Sequence, residues 1–336
     1  MSIPNNPASA ADGIRPINLK TDLAPLADLI ELVFADSMDQ SGLAAVREMR
    51  SLSKVSVGIN MLAGINDLAQ GISLGYVYIA DGKLVGNVSI YPANWGGAYG
   101  KIWIVANVGV HPDYQRRGIA SQLMRASMDM IRTRGGETAF LQVDLYNDIA
   151  RRLYQRLGFT EERAWMLWRR PGSIRIPPPL EDRSIYITRR RRGEWWAEYE
   201  LAQRVRPAHM GGIGWQRPLR PGLFRKSLIQ RMVDWINFRS EERLVIRSAD
   251  EQRILASLWV ENMFLSSSTQ LTLLVDPDYV GRYDEALINL AVRTYASNRG
   301  ALILEHPADE IITSDILRGY HFRPQREVMH MRWDVI

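Results

Sequence analysis

The passage from Ile102 to Arg134 narrows the fold more than any other part of this sequence. Its first stretch, Ile102 to Val110, is apolar almost throughout, the pattern of a strand covered on both faces of its sheet. His111-Pro112-Asp113 ends that strand, and the chain runs through Gln115-Arg116-Arg117-Gly118-Ile119-Ala120 straight into a second pattern. From Gly118 to Arg134, the residues Ala120, Leu123, Met124, Ser127, Met128 and Ile131 follow a helical rhythm, which predicts an amphipathic helix stopped by Gly135-Gly136. The first backbone N–H groups of such a helix lack intrahelical partners, and its dipole adds to their pull on an anion. Gly118 lets backbone approach a phosphate closely, Ala120 is too small to block it, and Arg116 and Arg117 add positive charge. The ligand this suits is a pyrophosphate. Lacking Gly-Lys-Ser/Thr, the loop is not of the Walker type, nor is it a full dinucleotide fingerprint.

Around this passage the patterns alternate. Leu26, Leu29, Ile30 and Val33 predict a helix over Asp22 to Ala35 with Thr21 as its N-cap. Tyr76 to Ala80 and Leu84 to Tyr91 read as strands joined by Asp81-Gly82, a pair suited to a tight hairpin turn. Phe140 to Leu145 reads as a strand, followed by a helix with Ala150, Leu153, Tyr154 and Leu157 on one face and Gly158 at its end; Trp165 to Trp168 adds a last strand. Residues 14–170 thus form a mixed α/β domain after a flexible leader, 1–13. Pro177-Pro178-Pro179 marks 171–184 as an extended linker.

Residues 185–336 repeat this layout. Val275-Asp276-Pro277-Asp278-Tyr279 echoes Val110-His111-Pro112-Asp113-Tyr114, and a helix follows with Leu287, Leu290, Ala291 and Thr294 on one face. After a strand at Ala301 to Glu305, the segment Ile316 to Phe322 stands where Leu153 to Phe159 stood, and Trp333 matches Trp168. Agreement across several landmarks predicts a tandem duplication.

At 336 residues the chain has room for two cores, and its 46% hydrophobic and 24% charged content is that of a globular protein. The absence of cysteine excludes disulfides, thiolate metal sites and a Cys nucleophile. Apolar runs are too short to span a bilayer and MSIPNNPASAADG carries no signal pattern, so a cytoplasmic location without membrane contact is expected. The net charge of +5 is spread over both halves, and the run Arg189 to Arg192 reads as a solvated turn, so a nucleic-acid partner is not expected.

The stretch Val108-Gly109-Val110-His111-Pro112-Asp113-Tyr114-Gln115-Arg116-Arg117-Gly118-Ile119-Ala120 resembles the motif of the GCN5-related N-acetyltransferases (GNAT), with its Gln/Arg-x-x-Gly-x-Gly/Ala ending. Asn147, Ala150, Leu153-Tyr154 and Leu157-Gly158-Phe159 resemble the family's later pattern at the expected distance. The resemblance covers 14–170 with intact motifs and 185–336 in layout alone. It implies a mixed-sheet α/β fold of two tandem GNAT-like domains. In the second, Tyr283 and Glu285 stand where Gly118 and Ala120 stood, and both oppose a pyrophosphate.

The resemblance further implies direct transfer of an acetyl group from acetyl-CoA to a primary amine on a small molecule or peptide, with no metal. Val108, Gly109, Val110, Gln115, Arg116, Arg117, Gly118, Ile119, Ala120, Ser121 and Asn147 would hold acetyl-CoA, and Tyr154 would protonate the departing thiolate. By periodicity alone Tyr154 reads first as a core tyrosine, on the apolar face beside Leu153 and Leu157, and Asn147 is equally a helix cap. For the general base, Glu31, Asp36 and Asp39 border the acceptor side in this fold, but solvated carboxylates have the same pattern; His111 reads as a surface residue, and Trp95 and Trp103 as packing or pocket wall. The competing reading of the whole is a non-catalytic acyl-CoA sensor. The Gly- and Pro-rich loop from Pro207 to Gly222 reads as a long connection or a lid. Oligomeric state has no sequence signal here.

Overall fold

The computed structural model describes residues 12–35, 38, 40–53, 74–93, 101–182, 184–215, 217, 219–225, 239–263 and 268–335. The chain divides into two compact units. The first comprises Met1–Gln142, Asp148–Thr160 and Met331–Ile336; the second comprises Val143–Asn147 and Glu161–His330.

In the first unit, β1 (Gly13–Pro16), β2 (Gly75–Ala80), β3 (Lys83–Pro92) and β4 (Ile102–Val110) pair antiparallel in that order, and β5 (Thr138–Asp144) joins β4 in parallel. Gly13, read from sequence as leader, opens β1; residues 1–11 lie outside the described residues. Asp81 and Gly82 turn the β2–β3 hairpin with φ of 51° and 70°, as the Asp-Gly pair predicts. Helix α1 (Leu19–Phe34) begins earlier than its apolar rhythm suggests. Its cap is Asn18, not Thr21: the Asn18 side chain accepts the Lys20 N–H, and buried Asp22, paired with Arg15, accepts the Asn18 N–H at 2.7 Å. Leu23, Leu26 and Ala27 of α1 pack with Val46 and Met49 of α2 (Gln40–Leu52).

Helix α3 (Ile119–Thr133) lies against the other sheet face. Gly86 makes the close approach possible, since a Cβ there would meet Ile119 and Leu123 at 3.0 Å. Helix α4 (Asp148–Arg156) carries Tyr154 as its buried residue. The chain's C-terminal residues complete this unit: the Val335 N–H donates to the Glu137 carbonyl at 2.9 Å, and the Trp333 and Phe159 rings lie 6.0 Å apart.

In the second unit, β7 (Ile187–Arg189), β8 (Arg239–Arg247), β9 (Ile254–Met263) and β10 (Ser268–Val275) pair antiparallel, β11 (Ala301–Pro307) joins β10 in parallel, and β6 (Thr160–Arg170) pairs antiparallel with β11 from Trp165 onward. Helices α5 (Trp195–Val205), α6 (Tyr283–Arg299) and α7 (Ile311–Gly319) and strand β12 (Arg323–Asp334, to His330 in this unit) complete it. The order of hairpin strands, helix and parallel strand repeats that of the first unit. The compact units cross the linear division at residue 170, because Glu161–Arg170 clusters with the second unit and Met331–Ile336 with the first. Nor is 171–184 a free spacer. Arg170 donates to the Arg175 carbonyl, Asn289 to the Pro178 carbonyl, and Arg282 pairs with Asp182, all within the second unit.

Candidate active site

Strands β4 and β5 pair only through Ile102–Ile104, so from Val105 onward β4 leaves its neighbour and a wedge opens in the first unit's sheet. On its other edge β4 carries a bulge. Asn87 of β3 faces Gly109 while Ser89 faces Ala106, which puts Asn107 and Val108 together opposite Val88. Asn107 takes the positive φ of 51° that the bulge demands. Its amide donates to Ser89 Oγ at 3.3 Å, and its carbonyl accepts from Asn87 Nδ2 at 3.0 Å. Of the expected strand residues, Val108 is half-buried and Gly109 and Val110 are buried.

Beyond β4, the loop closes on two left-handed residues, Arg116 (φ 62°) and Gly118 (φ 76°), and α3 starts immediately after. Gly118 caps α3 without any side-chain hydrogen bond, and the helical pattern begins with the Gln122 N–H on the Gly118 carbonyl. The Ile119, Ala120 and Ser121 N–H groups therefore precede the first helical bond and point out of the helix end, where left-handed turns gather N–H groups into an anion cradle. A Cβ on Gly118 would meet, among the described residues, only Gln122 Nε2, at 4.0 Å, so none of them fills that space.

The remaining loop residues are braces. Gln115 Nε2 donates to the Val110 carbonyl at 3.2 Å, which ties the loop to β4. Arg117 donates to the Asp113 carbonyl at 2.9 Å and lies 4.8 Å over the Tyr114 ring, and both Arg116 and Arg117 are exposed at the helix end. Ile119 packs against the sheet with its side chain and faces the loop only through its backbone.

Tyr154 is 6% exposed, with its ring 6.0 Å from that of Phe159, and its phenol has no hydrogen-bond partner among the described residues. Burial pushes that phenol above the ordinary tyrosine range. Asn147 falls in the second unit, where its N–H donates to the Asp144 carbonyl at 3.0 Å. Among the expected bases, Glu31 is held with Asp28 by Arg50. Asp36, Asp39 and Trp95 lie outside the described residues. His111 Nδ1 accepts the Asp113 N–H at 3.3 Å as the cap of a short turn, and Trp103 is buried at 3% exposure, with a Cβ on Gly136 falling within 2.8 Å of its ring. Sequence patterning passed over Asn87, Ser89 and Asn107, although three polar residues inside apolar strand runs were the available signal.

Residues 60–159, which hold the wedge, the loop, α3 and Tyr154, match the Acetyltransferase (GNAT) family. That stretch is thus a GNAT-family region. The chain is 44% identical over 55 residues to the ribosomal protein bS18-alanine N-acetyltransferase of Salmonella typhimurium, covering 16% of this chain and 37% of that protein. Over 74 residues it is 39% identical to a mycothiol acetyltransferase of Thermobispora bispora, covering 22% and 25% of the two chains. The alignment thus spans little more than a third of the first of these curated relatives. Two solved structures share the fold over nearly the full length. A GCN5-related N-acetyltransferase from Sphaerobacter thermophilus has a TM-score of 0.62 at 15% identity, covering 96% of this chain and 95% of that one. A tandem GNAT protein from the clavulanic acid biosynthesis pathway has a TM-score of 0.51 at 13% identity, covering 96% and 98%.

The second GNAT-like unit has closed every corresponding opening. At the N-terminus of α6, fully buried Asp284 accepts the Gly281 N–H at 2.7 Å, the Glu285 N–H at 3.0 Å and the Thr313 hydroxyl at 2.8 Å, so the chain's own carboxylate fills the anion cradle. Tyr279 and Tyr283 stack over this loop with centroids 4.6 Å apart. Strand β10 also leaves β11 after Leu271, but its pairing with β9 runs without a bulge. The loop read as a connection or lid bridges these strands: the Trp215 N–H donates to Glu305 on β11 at 3.4 Å, and Arg217 bonds Glu261 on β9 and Thr272 on β10. Glu310 is engaged by Arg206 and Arg163. Burial works against its charge, but His306 and the Arg206 guanidinium outweigh burial and hold the carboxyl below the usual range. No described helix in either unit is long and apolar enough to cross a membrane.

Proposed function

We propose that the first unit is an acetyl-CoA-dependent N-acetyltransferase that acts on the primary amine of a small molecule or peptide. The observation that carries this reading is the uncapped N-terminus of α3, beside a β4 edge unpaired with β5 beyond Ile104 and a buried Tyr154 whose phenol has no hydrogen-bond partner among the described residues. Acetyl-CoA supplies the acetyl thioester. The Ile119, Ala120 and Ser121 N–H groups and Arg116 hold its pyrophosphate. The free edge of β4 at Val108 to Val110 bonds the pantetheine arm, and an N–H at the bulge stabilises the charge that grows on the thioester oxygen. Tyr154 donates its proton to the leaving sulfur. Relatives named for acetylating a ribosomal-protein alanine and mycothiol support an amine acceptor without selecting one. The second unit, with its cradle filled by Asp284, binds no acetyl-CoA.

Calorimetric titration of the full chain with acetyl-CoA tests this. One site per chain is expected, abolished in Gly118→Glu and retained in Tyr283→Glu. No binding, or binding indifferent to Gly118→Glu, would overturn it. Intact binding without transfer to any amine would favour the acyl-CoA sensor.

A further inference from the structure

Opposite residues of an antiparallel pair share a sheet face, so Asn87 lies on the same face as Gly109, where a Cβ would meet Val33 of α1 at 3.2 Å. Gly86, its neighbour, faces α3 instead. Asn87, and Ser89 two residues on, therefore stand on the side of the bulge away from the anion cradle. Both are buried, at 1% and 0% exposure. Asn87 Nδ2 is committed to the Asn107 carbonyl at 3.0 Å, which fixes the orientation of the amide, and to Ser89 Oγ at 3.3 Å. Ser89 Oγ also accepts from Asn107 Nδ2. Asn87 Oδ1 is left with no hydrogen-bond partner among the described residues. Buried carbonyl oxygens are paired in the great majority of cases, and an orphan beside a candidate site is a place for an N–H or O–H donor of a ligand.

We infer that Asn87 Oδ1 receives an N–H of the acceptor amine, making Asn87 a positioning residue for the nucleophile. This rests on the acetyltransferase reading above. A donor lying over the α3 side of the wedge leaves the α1 face for the acceptor, and the bulge sits between the two. A neutral amide carbonyl suits the reaction: it takes one N–H of an uncharged amine and leaves the nitrogen lone pair free, whereas a carboxylate would hold the amine as a non-nucleophilic ammonium. The amine nitrogen bonds the acetyl carbon as the C–S bond breaks, and the proton lost from nitrogen balances the one gained by the thiolate.

The test uses the full chain, a non-transferring thioether analogue of acetyl-CoA for donor binding, and hydroxylamine, ethanolamine and glycinamide as small amine probes for CoA release. Asn87→Leu is expected to keep analogue affinity within about twofold while lowering kcat/KM for the best probe more than tenfold. Asn87→Asp, which retains the shape and the acceptor atom, is expected to fold and to move the acid limb of kcat, which reports the bound amine, to higher pH. Unchanged amine kinetics in Asn87→Leu and an unmoved limb in Asn87→Asp would assign Oδ1 to a structural water and overturn the inference. So would analogue binding with no amine-dependent release in the unmodified protein. Absence of analogue binding would instead bring down the acetyltransferase reading on which this one rests.

Discussion

Tyr154 shows how one environment can serve packing and chemistry together. Its ring belongs to the core beside Phe159, yet its phenol has no partner among the described residues, and burial disfavours the phenolate. A proton donor gains from that bias, because it stays protonated well past neutral pH. Under the proposed function, Tyr154→Phe lowers kcat by roughly 100-fold, the scale of a lost general acid, with acetyl-CoA affinity unchanged by calorimetry. The same shift sets a stability dependence. Its folded pKa lies above the unfolded value, so the contribution is complete below about pH 10 and is lost as pH rises toward the folded pKa. Alkaline melting curves should therefore fall less steeply for Tyr154→Phe than for the unmodified chain. Gly118 makes a contrasting case, since its identity answers to a φ of 76° and to space that no side chain among the described residues fills.

At the level of the element, α3 and α6 begin from corresponding loops and end up opposite in character. The start of α3 is bare, whereas α6 carries its anion within the chain at Asp284. Asp284→Ala should cost about 1–2 kcal/mol, the worth of a strong helix cap, and should speed hydrogen exchange at the Gly281 and Glu285 amides, leaving acetyl-CoA binding at the first unit unaltered. Unchanged exchange at those amides would show that the carboxylate does not cap the helix. Such local outcomes were partly legible in sequence. The α3 rhythm, the Asp81-Gly82 turn and the apolar run of β4 are short-range patterns, and they appear in the structure almost to the residue. Tyr283 and Glu285 were readable as obstacles to a phosphate, but the deeper reason, Asp284 turning inward, depends on Thr313 nearly thirty residues away. The bulge at Asn107 was not legible, because it exists only in the register between β3 and β4. The cap of α1 was misread as Thr21 because the tertiary pair Arg15–Asp22 draws the Asn18 N–H into the helix start.

For the whole molecule, the duplication read from spaced landmarks agrees with two units of like strand order, but a cut at the proline-rich segment would not separate them. The first unit includes Met331–Ile336, and the second includes Glu161–Arg170. Trp333, 4% exposed, lies beside Phe159, which is 2% exposed, and under the Arg132 guanidinium at 4.9 Å. Thr138 Oγ1 bonds Asp334 at 3.2 Å, and Thr160 Oγ1 bonds the Arg332 carbonyl at 3.2 Å. Deleting a buried tryptophan side chain alone costs about 3–5 kcal/mol, against total stabilities of about 5–15 kcal/mol for a domain. A chain ending at Arg170 loses that tryptophan together with its flanking hydrogen bonds. It also keeps Trp165 and Trp168, each 1% exposed in the intact protein, without the second unit that buries them. Residues 1–170 alone should therefore elute as aggregate on size exclusion and lack the near-ultraviolet dichroism of packed aromatics, while the full chain unfolds cooperatively. Trp333→Ala in the full chain should show the same defect in milder form, as a lowered melting temperature of the first unit. Should residues 1–170 instead stay monomeric and bind acetyl-CoA like the full chain, Met331–Ile336 would be dispensable to the first unit, and the linear boundary at residue 170 would be the true one.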